Sequence, residues 1–388
     1  MKMKFAVAAL LSGLLASVAY AEEPIKIGFI AELSGPPAAL GADQYDGFML
    51  AVEQKGGKLG GKEVEIFKED SQLRPELGVQ AARKLIEQND VQIITGVTFT
   101  NILMAIARPV TEKEVFIIGT MSGPGPIAGE QCSPYIYFTS WQNDMLAEVM
   151  GQYATEQGYK KVVALAPNYQ AGKDYIAGFK RYYDGEIVDE IYTPLNQLDF
   201  SAELTQIVSY QPDAVFVFYP GGLGINFVRQ YSLVGLSDKI PLLTAATVDG
   251  TTLPAMKEAA LGVMAGTHWS TDVDNPQSKA FVEAFKQKYG RTPSDYAAQS
   301  YDAALLLDSA IAKVDGDLDD KQAFMKALKA ADFESTRGNF RFGNNNFPIF
   351  DMYALQVVKG DDGQAMLKIK STPFKDHQDA YHEACPMS

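Results

Sequence analysis

Histidine and cysteine are scarce: the 388 residues hold three histidines (His268, His377, His382) and two cysteines (Cys132, Cys385). Neither set has the spacing of zinc ligands, so no metal site is expected. So few histidines also leave little material for a Ser-His-acid triad, and no GxSxG is present. There is no GxxxxGK[ST], and the glycines of GTMSGPGP lack the GxGxxG spacing, so no nucleotide or other cofactor is expected. Positive charge is in deficit, 34 Lys and Arg against 48 Asp and Glu, for a formal charge of -14. That balance excludes nucleic acid or an anionic membrane face as the main partner, although a local site can still receive a small anion. No apolar run reaches the roughly 20 residues that a membrane helix needs. Internal repeats and Gly/Ser linkers are missing too, which favours packed lobes over independent beads.

What is present begins with an export signal. In MKMKFAVAALLSGLLASVAYA, Lys2 and Lys4 precede an apolar stretch from Phe5 to Val18, and Ala19-Tyr20-Ala21 is a small-x-small cleavage pattern. A signal peptide over residues 1–21, cut after Ala21, implies a periplasmic protein. No cysteine stands at the cut, which disfavours a lipid anchor. In an oxidising compartment Cys132 and Cys385 are the only pair available for a disulfide; two free thiols are the alternative.

Along the rest of the chain, short apolar runs alternate with helical periodicity. Ile25–Ala31 (IKIGFIA), Val64–Glu69, Val91–Thr95 and Val115–Ile118 read as strands; Gly41–Gln54, Glu76–Gln88 and Asn101–Glu112 read as helices between them. A second series follows, with strands at Lys161–Ala166, Gly185–Tyr192, Ala214–Tyr219, Pro241–Ala246 and Gly262–Thr267. Pro276–Tyr289, Ala297–Lys313 and Lys321–Ala330 read as helices, and Phe350–Val358 as a strand near an edge. Such alternation predicts two α/β lobes, each a mostly parallel sheet covered on both faces.

Ligands of open α/β sheets gather at the carboxyl ends of the strands, against helix N-termini. Four segments fall there: Ser34–Gly41, Gly96–Asn101, Gly119–Pro126 and Tyr219–Gly224. Thr98, Thr100 and Ser122 offer hydroxyls, and Gly123 a close backbone approach; helix capping is the alternative role for each hydroxyl. Phe99, Tyr169, Tyr219 and Trp269 lie at or beyond strand ends, where rings can stack on a ligand or simply fill the lobe core.

Taken together, IKIGFIAELSGPPAALG, the segment ending EDSQLRPELGVQAARKLI, ITGVTFTN, VFIIGTMSG, YDAALLL and RGNFRFGNNNFPIFDMYALQVV resemble the periplasmic substrate-binding proteins of branched-chain amino-acid-type ABC transporters. The resemblance covers nearly all of residues 24 to 360. It implies the type I periplasmic binding fold: two Rossmann-like lobes around a central cleft, joined by three crossings, with lobe 1 at 24–141 plus 271–345 and lobe 2 at 142–270 plus 346–388. It also implies no catalysis, a small-molecule ligand, an inner-membrane permease as partner and a monomeric protein. Residue by residue, it maps ligand-carboxylate contacts onto Thr98-Phe99-Thr100 and Met121-Ser122-Gly123. Second-lobe contacts map near Tyr169, onto Tyr219-Pro220 and around Thr247. Amino-acid binders of this kind place an acid where this sequence has Ala246, and burying an ammonium without a counter-charge is costly. The missing acid, the aromatic content and the late FRFGNNNFPIFDMY segment resemble the subgroup for aromatic acids, so the expected ligand is benzoate- or hydroxycinnamate-like. Branched-chain or other aliphatic amino acids are the alternative, and an exported enzyme acting on a small carboxylate is the alternative of another class.

Overall fold

The computed structural model describes residues 23–387; the export segment lies outside the described residues. The first sheet begins with β1 (Ile25–Ala31), followed by α1 (Ala38–Gln54), β2 (Lys58–Leu59), β3 (Lys62–Asp70) and α2 (Pro75–Glu87). It continues through β4 (Ile93–Gly96), α3 (Thr100–Thr111), β5 (Phe116–Gly119), a single turn α4 (Gly125–Ala128) and β6 (Ile136–Phe138). The strand order is β2-β3-β1-β4-β5-β6, parallel except for the β2–β3 hairpin. That hairpin turns on Gly60 and Gly61, both at positive φ, the backbone a two-residue I′-type turn requires. β1 is apolar on both faces because both are covered. Ile27, Phe29 and Ala31 join one core cluster, and Ile30 joins the other.

A second sheet is built by α5 (Asn143–Glu156), β7 (Lys161–Pro167), α6 (Gln170–Arg181), β8 (Glu186–Thr193), α7 (Ser201–Tyr210), β9 (Ala214–Val217) and α8 (Gly222–Leu233). β10 (Leu242–Ala245), the short α9 (Leu253–Met256) and β11 (Met264–Thr267) extend it. The chain then returns to the first sheet for α10 (Pro276–Tyr289), α11 (Asp295–Lys313) and α12 (Lys321–Lys329), whose Phe281, Leu307 and Phe324 pack with Ile27 and Phe116. It crosses back for β12 (Arg341–Phe342), β13 (Pro348–Lys359) and β14 (Ala365–His377). The order is β12-β13-β11-β10-β9-β7-β8, with β14 antiparallel to β13. Two α/β lobes thus flank a cleft, and the chain passes between them after β6, after β11 and after α12.

Phe350–Val358, expected as a strand near an edge, is β13, one strand in from the edge and hydrogen-bonded to β11 and β14. β14, which the sequence reading did not include, supplies the outer partner. Its first half alternates half-buried Ala365, Leu367 and Ile369 with exposed Met366, Lys368 and Lys370, as a strand covered on one face does.

Cys132, in the loop between α4 and β6, is bonded to Cys385 in the tail after β14. The same tail is docked by Tyr381, whose hydroxyl donates to Asp144 Oδ2 at 3.0 Å, and by Asn345, whose amide donates to Asp379 Oδ2 at 2.9 Å.

Candidate functional site

The strand ends of the two lobes meet across the cleft. The SGPP turn after β1 lies against the PGG turn after β9: a Cβ added to Gly222 would come within 3.0 Å of Pro36 Cβ. Deeper in, Asn143 at the start of α5 accepts from the Gly123 N–H (3.0 Å) and donates to Thr100 Oγ1 (3.2 Å) and Asp174 Oδ2 (2.9 Å). Asp174, on α6, also accepts from the Gly125 N–H at 3.3 Å. From the other side, the Tyr296 hydroxyl of α11 donates to Asp249 Oδ2 at 2.9 Å. These bonds join residues of one lobe to residues of the other, so the lobes are closed.

Two cleft turns hold strained backbone. Val97, after β4, and Ala246, after β10, both have positive φ, and Val97 is β-branched. Each is followed by a threonine that braces its turn. Thr98 Oγ1 accepts from the Glu32 N–H (3.3 Å) and donates to Gln44 Oε1 (2.7 Å); Thr247 Oγ1 accepts from the Tyr219 N–H (2.7 Å). Ser122 donates to the Val97 carbonyl at 3.0 Å, tying the turns after β4 and β5 together. The helices that open on this layer have no side-chain cap: α1 starts after Pro37, α3 after Phe99, α6 after Tyr169 and α8 after Gly221. α2 and α7 also lack one, while α5, α10, α11 and α12 are capped by Gln142, Asn275, Ser294 and Asp320. The cleft helices therefore keep N-terminal N–H groups that no cap residue occupies.

A wall of rings lines the interlobe space. Tyr169 stacks on Phe218 with centroids 6.3 Å apart, and Phe218 on Tyr175 at 3.8 Å, their planes nearly parallel. The Tyr175 hydroxyl accepts from the Trp141 indole N–H at 3.0 Å. Trp141 in turn faces His268 at 5.0 Å and Tyr296 at 6.1 Å. Tyr169 is half-buried, whereas Phe218, Tyr175, Trp141 and Tyr296 are buried.

The expected site residues divide among these surroundings. Thr98, Thr100, Ser122 and Gly123 gather on the first-lobe side, with Met121 buried in the same core cluster, and Tyr169 faces across from the second lobe. The Phe99 ring sits in the core beside Ile102 and Leu103. Tyr219 and Phe218 point to opposite faces. The Tyr219 ring packs at 5.1 Å from Phe200 and 5.2 Å from Phe227, and its hydroxyl accepts from Thr193, so Phe218 holds the cleft side. Pro220 is buried in the turn between them and Gly221. The Trp269 N–H donates to Ser278 Oγ at 3.0 Å and its ring packs edge-on to Phe281; it lines a cavity of about 390 Å³ shared with Ala246, Asp249 and Asp295.

Sequence reading did not single out Glu32, Trp141, Tyr175, Phe218 and Tyr296. Trp141 follows β6 much as Trp269 follows β11, and that parallel was the available signal. Burial pushes the carboxyl pKa of Glu32 and Asp174 above the usual range, against the opposing hydrogen bonds from Ser71 and Asn143. Asp249, three residues past Ala246, also has a raised pKa through burial. Its Oδ1 accepts from the Thr251 and Thr252 N–H groups while Oδ2 takes Tyr296.

Residues 24–364 match the family described as Periplasmic binding protein. The Leu/Ile/Val-binding protein homolog 6 of Brucella melitensis is 29% identical over 361 residues, 90% of this chain and 91% of that one. A solute binding protein of an ABC transporter from R. palustris, solved in complex with benzoate, superposes with a TM-score of 0.88 at 28% identity, covering 94% of this chain and 100% of its own. Another, from Rhodopseudomonas palustris BisB5 in complex with 3,4-dihydroxy benzoic acid, gives 0.84 at 31% identity over 92% and 99%. The chain belongs to the periplasmic binding protein family, as a type I solute-binding protein of the ABC-importer kind, a binder and not an enzyme.

Proposed function

We propose that this protein binds a small aromatic carboxylate, benzoate- or hydroxycinnamate-like, between its lobes and delivers it to the membrane permease. The family itself implies a periplasmic importer component with a small organic ligand; the aromatic class is our reading. The observation that carries it is the ring wall from Tyr169 through Phe218 and Tyr175 to Trp141 and Tyr296. Aromatic faces suit an aromatic ring, and each stacked pair contributes about 0.5–1.5 kcal/mol beyond burial. A carboxylate finds N–H groups at the helix starts after Phe99 and Tyr169. The aromatic acids held by the two R. palustris proteins agree with this reading.

Closure is the mechanism. Ligand bridging the lobes favours the closed arrangement over an open one, in proportion to its contacts with both. The mature chain begins at Glu22 after cleavage and is monomeric, which intact mass and light scattering of the exported protein would test.

A second reading rests on Glu32. Its Oε1 accepts from Ser71 while its buried Oε2 has no partner, a place where the ammonium of an amino acid would be received. Titration calorimetry decides between the two, using leucine, isoleucine, valine, benzoate, 4-hydroxybenzoate and coumarate. Heat from the aromatic acids alone supports the aromatic reading. Tight leucine binding with silence from the aromatic acids refutes it.

A further inference from the structure

Beside the ring wall, the turn after β10 in one lobe comes directly against the start of α11 in the other. A Cβ added to Gly250 would stand 2.9 Å from Ser294 Cα and 3.3 Å from the Pro293 carbonyl oxygen. Polar contacts cross between the lobes here as well. The Tyr296 hydroxyl donates to Asp249 Oδ2 at 2.9 Å, and the Thr267 hydroxyl, at the end of β11, lies 3.5 Å from Asp295 Oδ2. Asp249 from one lobe and Asp295 from the other line the same cavity of about 390 Å³, and both are buried, at 5% and 8% exposed. Closure is what brings these acids out of water together.

Two carboxylates confined in this way need a cation or a proton. The groups around them supply no cation. Arg291, on the loop before α11, is taken up by Asp43 and Asp46 of α1, and Asp43 adds its own negative charge behind Asp295. Tyr296 on α11 and Tyr175 on α6 face the pair as phenols that burial keeps neutral. Lys286 of α10 and Asp362, in the turn between β13 and β14, line the cavity from exposed positions and are of opposite sign. Burial first, and the Asp249 charge second, hold the Asp295 carboxyl well above the ordinary range; burial raises Asp249 too, against hydrogen bonds from Thr251 and Tyr296.

We propose that the contact between the 246–252 turn and the start of α11 is a latch of the closed state, and that Asp249 and Asp295 take up one proton from solvent as it shuts. Ligand binding is then linked to proton uptake. The proposal rests on closure around a ligand, as above, and not on that ligand being aromatic. When the lobes part, water reaches both carboxylates and returns them toward their ordinary range. Between that range and the raised value of the pair, the closed state holds one proton more than the open state. Affinity therefore falls as pH rises through this window, by up to about tenfold per pH unit, and is level below it, where both states are protonated.

The test is titration calorimetry with benzoate and with leucine from about pH 5 to about pH 8, in buffers of different ionisation enthalpy, which counts the protons taken up per ligand. Wild type should take up about 0.5–1 proton where its affinity changes most steeply. Asp295→Asn should bring that count to about zero and make affinity level with pH. Asp249→Asn, which removes the second cause of the raised value, should move the fall in affinity to lower pH. Gly250→Ala, blocked only by Ser294 and Pro293 of the other lobe, should weaken binding about tenfold or more at every pH. Wild-type binding without proton uptake overturns the proposal. So does an uptake that Asp295→Asn leaves unchanged, which assigns the proton to another buried acid, and so does wild-type affinity in Gly250→Ala. Silence from benzoate with heat from leucine removes the aromatic reading alone, and the proton count with leucine still decides the latch.

Discussion

The disulfide offers a perturbation whose size can be worked from the fold. Cys132 and Cys385 are separated by 253 positions, with Cα atoms 5.7 Å apart. In the unfolded chain the bond closes a loop of that length, and the chain-entropy expression gives about 5.5 kcal/mol at 25 °C as a ceiling. The folded tail is also held without it, by Tyr381 on Asp144 and by Asn344 on the His382 carbonyl at 2.8 Å. Removing the bond therefore acts mainly on the unfolded state. The Cys132→Ser/Cys385→Ser variant should lose about 3–5 kcal/mol. With an unfolding entropy of about 2 cal/mol/K per residue, that corresponds to a melting point lower by about 4–7 °C. The assay is thermal unfolding of both proteins with and without a phosphine reductant. The reductant should bring wild type down to the variant and leave the variant unmoved. Ligand affinity should stay the same in both, since the bond touches none of the cleft rings. A variant melting within about 1 °C of wild type would refute the loop-closure reasoning.

Phe218→Ala and Tyr219→Ala should each cost about 3–5 kcal/mol of stability, both rings being buried, but only Phe218→Ala should also weaken an aromatic ligand about tenfold; paired titrations and melts separate the two. Arg337→Met strands the fully buried Asp302 carboxylate and should destabilise by about 3–5 kcal/mol in denaturant unfolding, with partial recovery when Asp302→Asn is added. Asp295 carries a pKa well above the usual carboxylate range, through burial first and the neighbouring Asp249 charge second. The folded state thus holds its proton more tightly than the unfolded state, and stability falls as pH rises from the ordinary carboxylate range through the folded value. Asp295→Asn should therefore raise the melting point relative to wild type near pH 7 and narrow that gain near pH 4. A difference independent of pH would count against the assignment.

The alternation of strands and helices was legible because parallel strands covered on both faces must be apolar throughout, as IKIGFIA and AVFVFY are. The positions of the cleft turns followed, since ligands meet α/β sheets at strand ends. β14 was hidden by its lysines, which occupy the outward positions of a strand whose inward ones are few. The ring wall was only partly legible. Phe218 and Tyr219 are adjacent and both aromatic, and a single residue of register decides which one faces the cleft and which packs on Phe200 and Phe227. Trp141 and Trp269 pose the same problem: each follows a strand end, and only packing separates the ring beside Tyr175 from the one beside Phe281.

The sequence by itself determined the two α/β lobes, the family and the turns that border the cleft, because these depend on local periodicity and on short motifs. Tertiary structure alone decided which side chains share the cleft. Thr98 and Thr247 brace backbone, and Glu32 is buried with a free oxygen. Those relations join residues tens to hundreds of positions apart. They arise only when two sheets close on each other and withdraw polar groups from water. That closure also buries His268 between Trp141 and Phe350, a placement that its position in the sequence did not disclose.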